Sequence, residues 1–409
     1  MYSSIVIWYF GFISGFLLLI TGNTLNFWIA KDGCSLEAIS LFSLVSLPYA
    51  TNFLWAPIFD KFKITFIKNN LHFRIKWLIL LHIAGIITLI CMSGYDPSET
   101  PKTTAILAFI LSFINASQDL VLNAFRSEIS QRGGGSENSG IYIFGYRSGM
   151  IISGSFAIFA SQYISWQKIY LIFAAIYLTF PIILYQLKLS KISSINTLNQ
   201  LNPNSNHPNI KTIINSLGNL RTTMLILLFL AFYRIADNFI AVMLNPFLIY
   251  QGFTESEIAI AGKFCGIVGA GFGGLLANGV LSKYKIFHCL LWFALIHTLS
   301  HASYILISYL GPSIKILIFA TFLESITGGM TMAAYIALIT KLCNGEYRAT
   351  QYALLSAMMG VSRTILPSLS GLIVLHTNWT LFFVLSIIMV IPSLILLNML
   401  KHTFLEKNL

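Results

Sequence analysis

Charge is what this chain has least of. One residue in ten of its 409 is charged, and acidic side chains are scarcest, 14 against 25 lysines and arginines. A soluble domain needs a charged surface, so this poverty excludes the ordinary globular classes. With 56% hydrophobic residues and a mean hydropathy of +0.77, it leaves a polytopic membrane protein. Cysteine is also sparse. Cys34, Cys91, Cys265, Cys289 and Cys343 are scattered, with no CxxC and no pairing pattern, which excludes a disulfide framework and predicts free, packed thiols. Histidine offers no cluster either: His297 and His301 stand one turn apart, yet no carboxylate or cysteine is near them in sequence, so no metal is expected. Absent too are a nucleophile–base pair and a phosphate-binding loop, since the glycine-rich stretch after Glu255 lacks both a preceding strand and the Lys-Ser/Thr of a nucleotide loop. Neither an enzyme activity nor a cofactor is expected.

What is present is a succession of apolar segments, each about the 20 residues that cross a hydrocarbon core. Twelve are predicted, at Ile5–Leu25, Glu37–Pro57, Trp77–Met92, Thr103–Ile129, Gly140–Gln162, Trp166–Leu187, Thr222–Tyr250, Glu255–Leu281, His288–Leu310, Ser313–Lys341, Ala349–Leu375 and Asn378–Leu400. The first lacks a basic start and a small-residue cleavage site, and is read as retained rather than as a secretion signal. The net charge of +11 reads as topology, not as nucleic-acid binding. Lys61, Lys63, Lys68, Arg74, Lys76, Arg132, Lys188, Lys191, Lys211, Arg221, Lys283, Lys285, Lys341 and Arg348 all fall in even-numbered connections, and Lys401 and Lys407 in the tail. The other side holds Lys31, Lys102, Lys168 and Lys315, so both termini are expected in the cytoplasm.

The longest hydrophilic stretch divides the chain into residues 1–187, a linker at 188–221, residues 222–400 and a tail at 401–409. The Asn-, Ser- and Pro-rich part of the linker cannot bury enough apolar area to order itself. Ile210, Ile213, Ile214, Leu217 and Leu220 then share one helical face, as an interfacial helix would. The two halves repeat weakly. Asp60-Lys61-Phe62-Lys63 resembles Ser282-Lys283-Tyr284-Lys285, and Ala124-Phe125 with Tyr142 matches Ala334-Tyr335 with Tyr352. Two six-helix halves in parallel repeat resemble the plan of the major facilitator superfamily, whose substrate site is expected between the halves. An all-α membrane protein of twelve transmembrane helices is the predicted fold.

Polar residues inside spans are expensive and so informative. In the fourth span Ser112, Asn115, Asp119, Asn123 and Arg126 repeat near the helical period and form one stripe. It marks a pathway or relay, or else an internal ion pair that fixes packing. The seventh span carries Arg234, Asn238 and Asn245 on one face with Asp237 beside them; Arg147, Lys263, Glu324, Gln351 and Arg363 lie in the fifth, eighth, tenth and eleventh. A cavity fringed by Arg126, Arg147, Arg234, Lys263 and Arg363 suits an anionic ligand, because guanidinium forks grip carboxylate or phosphate. The alternative is that Arg234 pairs with Asp237 while Arg126 and Lys263 snorkel to an interface. Rows of small residues (Gly11, Gly15, Gly22; Gly145, Gly149, Ser153; Gly262, Gly266, Gly269, Gly273, Ala277) predict close helix contacts.

Several of these residues fall in more specific motifs. Leu47-Pro48-Tyr49, Phe53-Leu54-Trp55-Ala56-Pro57 with Asp60, Ala116-Ser117-Gln118-Asp119 and Gly145-Tyr146-Arg147-Ser148-Gly149-Met150 together resemble the AmpG-type muropeptide permeases of bacterial inner membranes. Pro246-Phe247-Leu248, Gly252-Phe253, Glu257-Ile258, Lys263 and Ala349-Thr350-Gln351-Tyr352-Ala353-Leu354-Leu355-Ser356 resemble that family's second half, so the likeness omits only linker and tail. The resemblance implies proton-driven import of anhydro-muropeptides from periplasm to cytoplasm by a monomer. Asp119, Asp237 and Glu324 then become proton-coupling candidates. Gln118, Asn123, Arg126, Arg147, Arg234, Asn238, Lys263, Gln351 and Arg363 become substrate-binding candidates, and Asp60 with Lys61 a gating motif. One departure stands out: the family usually has a second acid where this chain has Asn123, and an amide cannot titrate. Other readings remain, an anionic cargo of another kind (short peptide, sugar acid, acyl-coenzyme) or a non-cycling membrane receptor.

Overall fold

The computed structural model describes residues 2–62, 73–130, 137–186, 219–343 and 348–401. The linker up to residue 218, with most of the interfacial helix expected there, and the tail beyond 401 lie outside the described residues. Within them the chain is helical and contains no strand. Ten helices are long and apolar enough to cross a membrane, from Ile5–Lys31 to Trp379–Met399. Trp166–Gln186 carries the sixth span. The second is a run of short pieces, Leu36–Leu41, Phe42–Ser46, Leu47–Thr51, Asn52–Leu54 and Ala56–Lys61, where one continuous span was expected. Pro48 and Pro57 explain the fragmentation: each lacks an N–H to donate, and each sits in the first turn of its piece, where that donor is not required. The ten long helices, the Trp166–Gln186 helix and the broken second span together correspond to the twelve expected.

Contacts group the chain into two compact units, Met1–Trp28 with Thr51–His207, and Ile29–Ala50 with Pro208–Leu409. In the first, Phe10, Phe16, Phe125, Tyr177 and Phe180 are fully buried. Glycine is indispensable where its first and fifth spans meet. A methyl group on Gly11 or Gly15 would overlap the backbone of Tyr142 or Tyr146, and one on Gly145 or Gly149 the backbone of Trp8 or Phe12. In the second unit Ile226, Phe229, Leu230, Leu290, Phe293, Ala334 and Leu338 form the core. Its eighth and tenth spans approach in the same way through Gly273 and Gly329. Outward, Phe272, Leu275 and Leu276 of the eighth span are 54%, 70% and 55% exposed, an apolar face suited to lipid.

Helix ends follow local chemistry. Asn219 accepts from the Thr222 amide, Asn378 from that of Leu381, and Thr254 and Glu257 cap each other's backbone at the start of the eighth span. Two spans widen into π turns, at Ile151–Phe156 and Ile258–Phe264. The seventh span breaks at a charged residue. Leu220–Tyr233 ends and Ile235–Tyr250 begins around Arg234, whose φ of −109° and ψ of 14° are not helical.

Candidate functional site

Two polar clusters lie at membrane depth, one in each unit. In the first, the helix Pro101–Ser130 carries the predicted stripe. Ser112 and Asn115 are fully buried, and no hydrogen-bond partner meets either side chain among the described residues. Asp119, half-buried, accepts a 2.6 Å hydrogen bond from the Ser14 hydroxyl of the first span. Asn123 is exposed; the side chain of Arg126 lies outside the described residues. Trp55 donates its indole N–H to Ser117 at 3.1 Å. Gln118 joins the third and sixth spans: its amide lies 3.1 Å from His82 Nε2, and the Tyr177 hydroxyl donates to its carbonyl oxygen. His82 Nδ1 donates to the Leu78 carbonyl at 2.6 Å, and Phe180 stacks on the ring. The Gln118 amide also contacts Nδ1, so the ring is held between that amide and the Leu78 carbonyl with no acid among its hydrogen-bond partners, and His82 reads as a structural group.

The second cluster gathers the seventh, ninth and tenth spans. Arg234 makes an ion pair with Asp237, an i,i+3 neighbour across the helix break, and its other nitrogen reaches the Gly328 carbonyl at 3.5 Å. The local pairing weighed from sequence is therefore formed. Each side chain keeps 16% of its surface, so the pair is partly open. Arg363 of the eleventh span and Glu324 are further charged neighbours of Arg234. Asn238 donates to Ser362 at 3.0 Å, fixing the seventh span to the eleventh. Glu324 is half-buried and accepts from Ser325 at 3.2 Å.

Sequence reasoning set His297 aside because no carboxylate stands near it in the chain. The fold supplies two. His297 Nε2 lies 3.7 Å from Asp237, and ligand atoms of Asp237, His297 and Glu324 all fall within 4.8 Å of one another. Two carboxylates and an imidazole are a donor set able to hold a metal ion or a proton, although Arg234 already occupies one Asp237 oxygen. Asp237 and Glu324 were singled out separately from the sequence, but no sequence signal joined them to His297, because the three come from three spans. The remaining candidates are dispersed. Arg147 is half-buried in the first unit; Gln351 is fully buried and Arg363 half-buried in the second; the side chains of Asp60, Lys61 and Lys263 lie outside the described residues.

Comparison with known proteins narrows the chemistry. The Major Facilitator Superfamily model matches residues 289–407. Over 400 residues the chain is 43% identical to a protein of Rickettsia bellii named putative transporter AmpG 1, covering 97% of this chain and 98% of that one. It is 31% identical over 402 residues to the anhydromuropeptide permease of Escherichia coli K12, covering 96% of this chain and 78% of the relative. Among solved structures, the nucleoside transporter NupG aligns with a TM-score of 0.70 at 14% identity, covering 98% of this chain and all of that one, a likeness of fold alone.

Proposed function

The chain belongs to the AmpG-type permeases of the major facilitator superfamily, and on that premise we propose that it imports anhydro-muropeptides, coupled to protons, across a bacterial inner membrane. These disaccharide-peptides carry carboxylates. The observation that carries the reading is Arg234, a guanidinium placed at a helix break at membrane depth and still partly open while paired with Asp237. A guanidinium fork binds a carboxylate with two parallel hydrogen bonds, so an incoming peptide carboxylate competes directly with Asp237. Arg147 and Arg363 are the further cations assigned to the cargo, with Gln118, Asn123, Asn238 and Gln351 as hydrogen-bonding partners.

Proton coupling is assigned to acids rather than to the position that the family usually fills with a second acid, because Asn123 cannot titrate. Asp119 is the first choice, since it is half-buried and held by Ser14. Asp237 and Glu324 complete the set. The basic bias of the even-numbered connections supports cytoplasmic termini; a monomer is the working unit. Uptake of labelled anhydro-muropeptide into proteoliposomes, with an acid outer face and with short peptides, sugar acids and acyl-coenzyme as competitors, tests the whole reading. Accumulation above the outside concentration is expected. Movement of a competitor but not of the muropeptide would overturn the cargo, and saturable binding with no movement would make the protein a receptor.

A further inference from the structure

His297 is 4% exposed, and its two nitrogens face different surroundings. Nδ1 lies 3.0 Å from the Thr327 hydroxyl. That hydroxyl has one proton, for which the carbonyls of Leu323 and Glu324, each at 2.9 Å, and the Ser300 hydroxyl oxygen at 3.3 Å are the acceptors. We assign the Thr327 proton to one of these acceptors, so that Thr327 accepts from His297, with the ring proton on Nδ1 and a lone pair on Nε2. Nε2 has no hydrogen-bond partner among the described residues. It faces Asp237 at 3.7 Å, with Glu324 completing the triangle. Three acceptors thus converge, with the Arg234 guanidinium on the other oxygen of Asp237 as the positive charge beside them. A lone pair aimed at carboxylates is unfavourable until a positive charge arrives on the ring or between the groups.

The first unit holds an internal contrast. His82 occupies the third span there, but its ring meets the Gln118 amide and the Leu78 carbonyl. His297 meets acids instead.

The charged groups around His297 determine when the proton arrives. From the seventh span come Asp237 and Arg234, from the tenth Glu324, from its own span His301 with ring centroids 5.1 Å apart, and from the eleventh Arg363 beside Arg234. While Arg234 holds Asp237, that carboxylate is neutralised. We propose that His297 is a second proton-binding site, loaded when a carboxylate of the cargo draws Arg234 away from Asp237. The freed Asp237 then faces Nε2, a proton binds there, and His297–H⁺ and Asp237 form the ion pair that Arg234 has left. One proton is gained for each cargo carboxylate bound at Arg234, which ties cargo to proton without requiring an acid at position 123. This inference rests on the muropeptide reading for its cargo but not for its chemistry.

The test has two arms on the purified full chain. Calorimetric binding of anhydro-muropeptide in two buffers of different ionisation enthalpy counts protons directly. The wild type is expected to take up one proton per site more than His297→Gln; equal uptake by both overturns the proposal. A wild type that binds no muropeptide refutes the cargo instead and leaves the second arm to decide. That arm uses histidine-labelled nuclear magnetic resonance without cargo, with His297→Gln assigning the signal. Arg234→Gln imitates the departed guanidinium, so the imidazolium share of His297 at about pH 6 is expected to rise at least about threefold over wild type. An unchanged share overturns the proposal. Should Arg234→Gln fail to fold, Arg234→Lys in the same titration substitutes for it, since an ammonium cannot reproduce the two-pronged grip. Binding of zinc chloride at His297 in the wild type at neutral pH would overturn the proton site in favour of a metal site.

Discussion

Replacing Asp237 by Asn removes half of the pair on which the second cluster depends. The amide leaves Arg234 with a 3.5 Å contact to the Gly328 carbonyl and with Glu324 as the remaining acid against its like-charged neighbour Arg363. Breaking a fully buried pair by removing one partner costs about 3–5 kcal/mol. Here each side chain keeps 16% of its surface, so water screens part of the loss and about 2 kcal/mol is expected, roughly a 30-fold shift toward the unfolded state. Arg234→Gln should cost less, about 1 kcal/mol, because Asp237 is then left facing His297, whose protonation supplies a replacement positive charge. The double variant should cost no more than either single one, a coupling of about 2 kcal/mol. Denaturant titration of the bicelle-reconstituted variants, followed by tryptophan fluorescence, measures all corners of the cycle. Additive losses, with the double variant near the sum of the singles, would refute the argument that these charges are mutually compensated.

Asp119→Asn is expected to abolish accumulation driven by a pH gradient while leaving the fold intact, because the amide oxygen still accepts from Ser14; retained pH-dependent accumulation in inverted vesicles would remove Asp119 from the mechanism. Gly329→Val should destabilise by about 2 kcal/mol, since its Cβ meets the Ala270 backbone, whereas Gly274→Val, with nothing within 4 Å, should be close to neutral in the same titration.

Much of the organisation was legible in the sequence because membrane spans are written locally. A run of about 20 apolar residues must be a helix in lipid, whatever surrounds it, since no water is there to satisfy the backbone. The stripe Ser112–Asn115–Asp119 was legible for the same reason, as the helical period alone puts those residues on one face. Arg234 and Asp237 are three apart, so their pairing was a local question too. The rows of Gly11 and Gly15, and of Gly145 and Gly149, announced close contacts without saying with whom.

The rest depended on which face meets which. The backbone overlap that forbids a side chain at Gly11 exists only because the fifth span lies against the first. The breaks in the second and seventh spans interrupt stretches whose hydropathy reads as continuous, and in the seventh the break falls on the charged residue that the cluster uses. His297 shows the limit most clearly. By itself the sequence determined an imidazole on an apolar helix with no acid nearby, which is why it looked inert. Only packing of the seventh, ninth and tenth spans brought Asp237 and Glu324 to its unprotected nitrogen. Periodicity reports the faces of one helix, whereas the meeting of three helices is decided by side chains far apart in the chain and by the small residues that let those helices close.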